Sequence, residues 1–145
     1  MGTGSFRSAW GDPRAWYLGF HAGSNLANHG QADAGSFVLD CEGIRFAVDV
    51  GDGRHDHARS QDYFSKDKQR NYRWRAEGNN VVVLSPGTHV GQNMKANPKH
   101  QAYESSAERA FSVVDLTACY QADPKNTSEQ KQVAKQDAQS VNCAR

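Results

Sequence analysis

The stretch from Asn28 to Asp40, NHGQADAGSFVLD, carries the strongest fold signal in the chain. It starts as a polar loop with one histidine and ends as an alternating strand. Gly30 and Gly35 permit tight backbone turns, and the strand then holds His29 and Asp33 in fixed positions. Loops carried on a rigid scaffold are where binding and chemistry concentrate. His29 is therefore the first candidate functional residue.

Short strands separated by turns continue on both sides of this stretch. Strands are predicted over residues 6–10, 15–20, 36–40, 44–50, 81–84, 101–105 and 110–116, and residues 72–76 also alternate. Glu42-Gly43 predicts a tight hairpin turn. Many short strands at regular spacing indicate an all-β fold, an antiparallel β-sandwich over residues 1–120. Residues 121–145 form a polar tail that is helical or disordered.

Composition excludes several classes of protein. The 145 residues fit one domain, and the net charge of +1 has no basic block, so no nucleic-acid partner is expected. No apolar run approaches the roughly 20 residues of a membrane span, so no membrane partner is expected. Residues 1–6 lack the plan of a signal peptide, so the protein stays in the cell or the chain is a piece of a longer one. Three cysteines without a CxxC pair predict neither a disulfide framework nor a zinc knuckle, and Cys41 is expected to be buried.

Several polar residues allow two interpretations. Asp33 is predicted to accept backbone donors in its loop. His55-Asp56-His57, with Asp52 nearby, is either a metal cluster or solvated surface. Tyr72, Arg73 and Arg75 are either a basic, aromatic wall for an acidic sugar or an alternating strand.

Three aromatic residues near the N-terminus also allow two roles. Trp10, Trp16 and Tyr17 lie in or beside predicted strands, where aromatic side chains usually belong to the core. The alternative is that they stack on sugar rings. The core interpretation is the prediction.

A longer pattern resembles a known family. FRSAW (6–10), NH followed by DAGSFVLD (28–40), GIRFAVD (43–49), YR and RAEG (72–78), ESS (104–106) and AFSVVDLT (110–117) occur in an order similar to that of the heparinase II/III-like bacterial polysaccharide lyases. The resemblance covers roughly residues 6–120.

The resemblance implies a β-sandwich that follows an α/α toroid, with the lyase site in the cleft between them. The implied reaction is β-elimination across a uronic-acid linkage, which needs carboxylate neutralisation, a base and an acid. A tyrosine and a histidine of the toroid would supply most of the base and acid work. The β-sandwich would contribute His29 as a catalytic residue and Asn28, Tyr72 and Arg73 as substrate-binding residues. The implied partners are an acidic polysaccharide and the toroid, and the implied location is periplasmic or secreted.

The family's zinc ligands are only partly present. The resemblance assigns them to Gln31, Asp49 and Asn79, where amides replace two histidines. Zinc prefers imidazole, thiolate and carboxylate ligands, so Asp49 is a weak metal candidate and no cofactor is expected. One hypothesis is that Gln31 and Asn79 hydrogen-bond with Asp49 as a polar cross-link in place of the metal.

The function predicted from this resemblance is the β-sandwich portion of a polysaccharide lyase, inactive without its toroid. The alternative is a non-catalytic domain that binds acidic glycans or another protein. Product formation separates the two, because binding without product favours the alternative. A third possibility is a truncated or drifted reading frame with no retained activity.

Overall fold

The predicted all-β fold is confirmed by a computed structural model, which describes residues 2–27, 30–51, 72–84 and 91–121. Six strands and three short 3₁₀ helices occur in these described residues. The strands are β1 Thr3–Arg7, β2 Tyr17–His21, β3 Phe37–Cys41, β4 Ile44–Ala47, β5 Lys99–Ser105 and β6 Ala110–Asp115. The 3₁₀ helices are Tyr72–Trp74, Ala76–Gly78 and Thr117–Cys119. The polar tail from residue 122 onward lies outside the described residues.

The first four strands form an antiparallel sheet in the order β1-β2-β3-β4. The β3–β4 turn is the predicted Glu42-Gly43 pair, with φ of 51° and 76°. Positive φ at both central residues gives the turn the twist that a two-residue hairpin needs. The predicted hairpin is therefore confirmed, and β4 lies at one edge of the sheet.

The second sheet is the β5–β6 hairpin, whose ladder is interrupted by a bulge between His100 and Ala102. It packs on the first sheet through aromatic rings. The Phe6 ring stacks on Phe20 at 5.7 Å and on Tyr103 at 5.2 Å between centroids, and Phe20 meets His100 at 6.2 Å. Two sheets facing each other through side chains give a sandwich-like arrangement. An apolar cleft of about 420 Å³ remains between them.

The strand predicted over residues 81–84 is wrong, and so is the strand interpretation that was left open for residues 72–76. Residues 72–76 form 3₁₀ turns, because the Asn79 amide donates to the carbonyls of Arg73 and Arg75 and so competes with an extended backbone. Residues 81–84 form no strand. There the Asn80 side chain donates to Phe37 O and Val48 O, so a side chain makes the contact with the first sheet in place of a ladder.

The fully buried positions are mostly small residues. One cluster joins Ala32 to Ala76, and a second joins Ala34, Ala96 and Cys119. Cys41 is buried as predicted. Small side chains let loops approach one another closely, and they leave many larger apolar residues exposed.

The prediction that the N-terminal aromatic residues belong to the core is wrong for two of them. Trp10 is 88% exposed and Trp16 is 57% exposed. Ser8 N donates to Trp16 O, which closes the β1–β2 hairpin and leaves Trp10 in the loop beyond this bond. The intervening loop therefore projects past the strands and carries Trp10 into solvent. Tyr17 lies in β2 and is half-buried.

Gly35 combines a φ of 89° with close packing, since a Cβ atom there would lie 2.6 Å from Leu116 Cδ1. We expect Gly35→Ala to lower the free energy of unfolding by about 2 kcal/mol, because backbone strain adds to displacement of the leucine. Gly11→Ala is the matched control, since Gly11 has a φ of 72° with open space around it. Chemical denaturation measures both variants. Equal losses of unfolding free energy in the two variants would show that the contact with Leu116 adds nothing to the cost of the substitution at Gly35.

Candidate functional site

Three distant segments meet at one end of the four-stranded sheet: residues 30–36, 48–51 and 72–80. Ala32 N donates to Trp74 O at 2.9 Å, and Ala32 packs on Ala76. The Arg73 guanidinium donates to Val50 O, which ties the turn after β4 to the 3₁₀ helices. We call these three segments the loop cluster. They include the sequences on which the family resemblance depends most.

The loop cluster brings some predicted site residues together. Tyr72 is 55% exposed, and Arg73 is half-buried with its guanidinium against the chain after β4. Asn28 and His29 lie outside the described residues, so their catalytic and substrate-binding roles stay predictions. An aromatic ring and a guanidinium are thus adjacent along the chain, and the guanidinium also donates to Val50 O.

The residues at the predicted metal-ligand positions do not form the polar cross-link that was hypothesised for them. Asp49 is exposed, and its Oδ1 accepts a hydrogen bond from Gly51 N at 2.6 Å. The Asn79 amide donates to backbone carbonyls of its own turn. Among the described residues, no hydrogen bond joins Gln31, Asn79 and Asp49, so the proposed cross-link is wrong. The Asn79 amide and the Asp49 carboxylate each bond to a local backbone partner instead.

The residues that the structure describes contain no group of three His, Cys, Asp or Glu side chains that are placed to hold a metal ion. The candidate cluster at Asp52 and His55-Asp56-His57 falls outside the described ranges.

A half-buried ion pair borders the 3₁₀ helices. Arg75 Nη2 and Glu77 Oε2 lie 2.5 Å apart, with about a fifth of each side chain exposed. The pair neutralises a cation that the sequence had offered as part of the basic wall, so Arg75 is a structural residue. Tyr72 and Arg73 remain as the candidates for contact with a sugar.

Gln92 is the buried hub that holds the loops beneath the loop cluster, and no pattern in the sequence singles it out. Its Oε1 accepts from Asn25 Nδ2 and Ala34 N, and its Nε2 donates to Ala34 O and the Tyr120 hydroxyl, all at 2.9–3.1 Å. Tyr120 in turn donates to Val82 O. One amide therefore satisfies its full hydrogen-bonding capacity while joining four separate segments.

His21 and Asp33 form a second internal polar contact. His21 Nδ1 and Asp33 Oδ1 lie 3.2 Å apart, and neither atom has another partner among the described residues. The aspartate carboxylate raises the pKa of His21 against the opposing effect of burial. Asp33 was expected to accept backbone donors, but its partner is this imidazole. Backbone bonds from His21 N to Ser36 O and from Gly35 N to His21 O fix the loop beside the ring.

A concave surface of about 460 Å³ lies beside the loop cluster, lined by residues that include Asn79, Asn80 and Gly35. Its lining also includes the apolar side chains of Phe37, Val81, Val82 and Leu116.

Comparison with protein-family models and with curated proteins gives no match for this chain. In the described ranges, no helix combines the length and the apolar character that crossing a membrane requires.

Proposed function

We propose that this chain is the β-sandwich portion of a heparinase II/III-like polysaccharide lyase. With a helical toroid domain of the same or an adjoining chain, it would perform β-elimination on a polysaccharide that contains uronic acids. The periplasm or the cell exterior is the compartment proposed for this reaction. The proposal is supported by one observation above others: three of the segments carrying the resemblance, although far apart in sequence, meet in the loop cluster.

The chemistry assigned to the loop cluster is limited. Arg73 and Tyr72 would contact the acidic sugar, since a guanidinium matches a carboxylate and an aromatic ring packs on a sugar ring. His29 would assist proton transfer, because an imidazole exchanges protons near neutral pH. The toroid would supply the principal base and acid. The chain is therefore expected to be inactive alone.

The edge strand supports the existence of a partner domain. Ile44 and Phe46 on β4 are 58% and 65% exposed, and Val48 and Val50 beyond it are also exposed. A contiguous apolar edge on a soluble domain usually marks an interaction surface. The proposed occupant is the toroid.

The proposal is tested by mixing the chain with the helical domain of a heparinase II/III-like lyase that lacks its own β-sandwich. Alginate and heparan sulfate serve as substrates, and ultraviolet absorbance detects unsaturated product. We expect product from the mixture and none from the chain alone. His29→Ala should lower the rate about 100-fold, the lower end of the contribution of a general acid or base.

Leu26→Ala is the control for His29→Ala, because Leu26 is a nearby exposed residue without a proton to transfer. Its rate should match the parent. Product from the chain alone would contradict the claim of inactivity. A mixture that gives neither product nor assembly would overturn the lyase assignment.

A non-catalytic domain that binds acidic glycans is the second candidate. The exposed Trp10 favours it, because a solvent-facing indole is a common means of holding a sugar ring. Binding of acidic polymers without product in the mixture would support this candidate over the first.

A further inference from the structure

One cross-strand row runs over the outer face of the four-stranded sheet. Arg7 is paired with Tyr17, Tyr17 with Asp40, and Asp40 with Arg45. Residues paired in this way project from the same face of a sheet. The face is opposite to the one on which Phe6 and its partners meet the second sheet.

The two arginines of this row differ in their hydrogen-bond partners. Arg45 Nε and Nη2 hold both oxygens of Asp40 at 2.7 and 3.0 Å, which also lowers the pKa of Asp40. Arg7 forms no such bidentate pair in the described part of the chain, and its charge only adds a weaker, longer-range contribution to the lowered pKa of Asp40. Its Nε donates to Ala9 O at 2.9 Å, which holds the guanidinium in place. Arg7 is therefore the cation of the row that is available to an anion.

Aromatic rings flank this cation. The Arg7 guanidinium carbon lies 5.4 Å from the centre of the Trp10 ring and 5.6 Å from that of Tyr17. Cation–π contacts at this range orient a guanidinium without neutralising it. Trp10, at 88% exposure, presents its ring to solvent beside the charge.

We propose that Trp10, Arg7 and Tyr17 form a binding surface for an acidic polysaccharide strand on the outer face of the sheet. The apolar C–H face of a sugar would pack on the Trp10 ring, and the sugar's carboxylate would accept hydrogen bonds from Arg7. Neither group alone specifies this ligand. A ring beside a guanidinium that makes no bidentate pair with a carboxylate matches a sugar that carries an acid.

This surface is separate from the loop cluster. Arg7 and Tyr17 lie at the hairpin end of β1 and β2, whereas the loop cluster follows the opposite ends of β2 and β4. Five residues of strand separate the two ends by about 17 Å. The class of ligand rests on the proposed function, but the position does not. The surface would hold a polymer at a distance from the proposed chemistry.

The experiment is affinity electrophoresis of the full chain in gels containing alginate, heparan sulfate or neutral dextran. We expect both acidic polymers to retard the chain and dextran to have no effect. Trp10→Ala and Arg7→Gln should each raise Kd about tenfold, the scale of one charge-assisted contact. Arg14→Gln is the matched control, since it removes a nearby arginine that already pairs with Glu42 at 2.6 Å. Its Kd should stay within about twofold of the parent.

The variants are first shown to unfold at the parent's midpoint, which removes misfolding as an explanation. The proposal is overturned if Trp10→Ala and Arg7→Gln bind like the parent, if dextran retards the chain equally, or if neither acidic polymer retards it. It is also overturned if Trp10→Ala and Arg7→Gln bind the acidic polymers like the parent but no longer assemble with the toroid. Each result leaves the lyase proposal to its own product assay, so the two failures are distinguishable.

Discussion

Replacing Gln92 by alanine is expected to lower the free energy of unfolding by about 4 kcal/mol. The substitution leaves Asn25 Nδ2, both backbone groups of Ala34 and the Tyr120 hydroxyl without the partner they have in the folded protein. An unsatisfied buried polar group costs about 1–3 kcal/mol, and some of these groups keep or find a second partner. Urea denaturation followed by tryptophan fluorescence measures the loss.

Two further variants make this prediction specific. Gln101→Ala removes an exposed glutamine from β5 and should change the unfolding free energy by less than about 0.5 kcal/mol. Gln92→Glu keeps an acceptor but removes the donor to Ala34 O and buries a charge, so it should also destabilise strongly. A loss below about 1 kcal/mol for Gln92→Ala would show that the hub carries little of the stability.

The parts of the fold that the sequence predicted well are those with local signals. The β3–β4 hairpin combines an alternating apolar pattern with a two-residue turn, and both act over neighbouring residues. β5 and β6 followed from the same alternation, with ends shifted by one or two residues. Residues 81–84 are as apolar as a buried strand, but a short apolar run does not determine its partner. The Asn80 amide makes that contact instead.

The internal polar contacts could not be predicted because they join residues far apart in the chain. Gln92 lies in a polar loop without periodicity, and its partners come from around residues 25, 34 and 120. Trp10 was assigned to the core on its residue type alone. The hydrogen bond from Ser8 N to Trp16 O closes the hairpin before Trp10, so this residue lies in an exposed loop. Asp33 was expected to accept backbone donors in its loop, and nothing local identifies His21 as its partner.

The candidate site was predicted only in outline. The resemblance selected Gln31, Asp49, Tyr72, Arg73 and Asn79, and the structure brings their segments into the loop cluster. The resemblance did not predict that Asn79 would stabilise its own turn. The hydrogen bonds from its side chain to nearby carbonyls need a 3₁₀ geometry, whereas the alternating pattern of residues 72–76 is typical of a strand. Arg75 looked like part of a basic wall, and its partner Glu77 is visible in the sequence two residues later.

The contact between His21 and Asp33 should make stability depend on pH in the neutral range. The pKa of His21 is raised from its ordinary 6.5, so the folded protein binds this proton more tightly than the unfolded chain. The resulting stabilisation is fully present below the unfolded pKa and is lost as pH rises through the higher, folded pKa. We expect the free energy of unfolding, measured by denaturation at a series of pH values, to fall from about pH 6 upward.

Asp33→Asn should remove this contribution, with a loss of about 2 kcal/mol at pH 6 that shrinks as the pH rises, because the hydrogen bond loses its charged partner. Asp12→Asn is the matched control, since Asp12 accepts from Arg14 N on an exposed turn and does not touch His21. The difference between the parent and Asp33→Asn in how the free energy of unfolding changes with pH isolates the contribution of His21 from those of the other five histidines. A slope that persists unchanged in Asp33→Asn would assign the pH dependence to another group and leave the contact as packing alone.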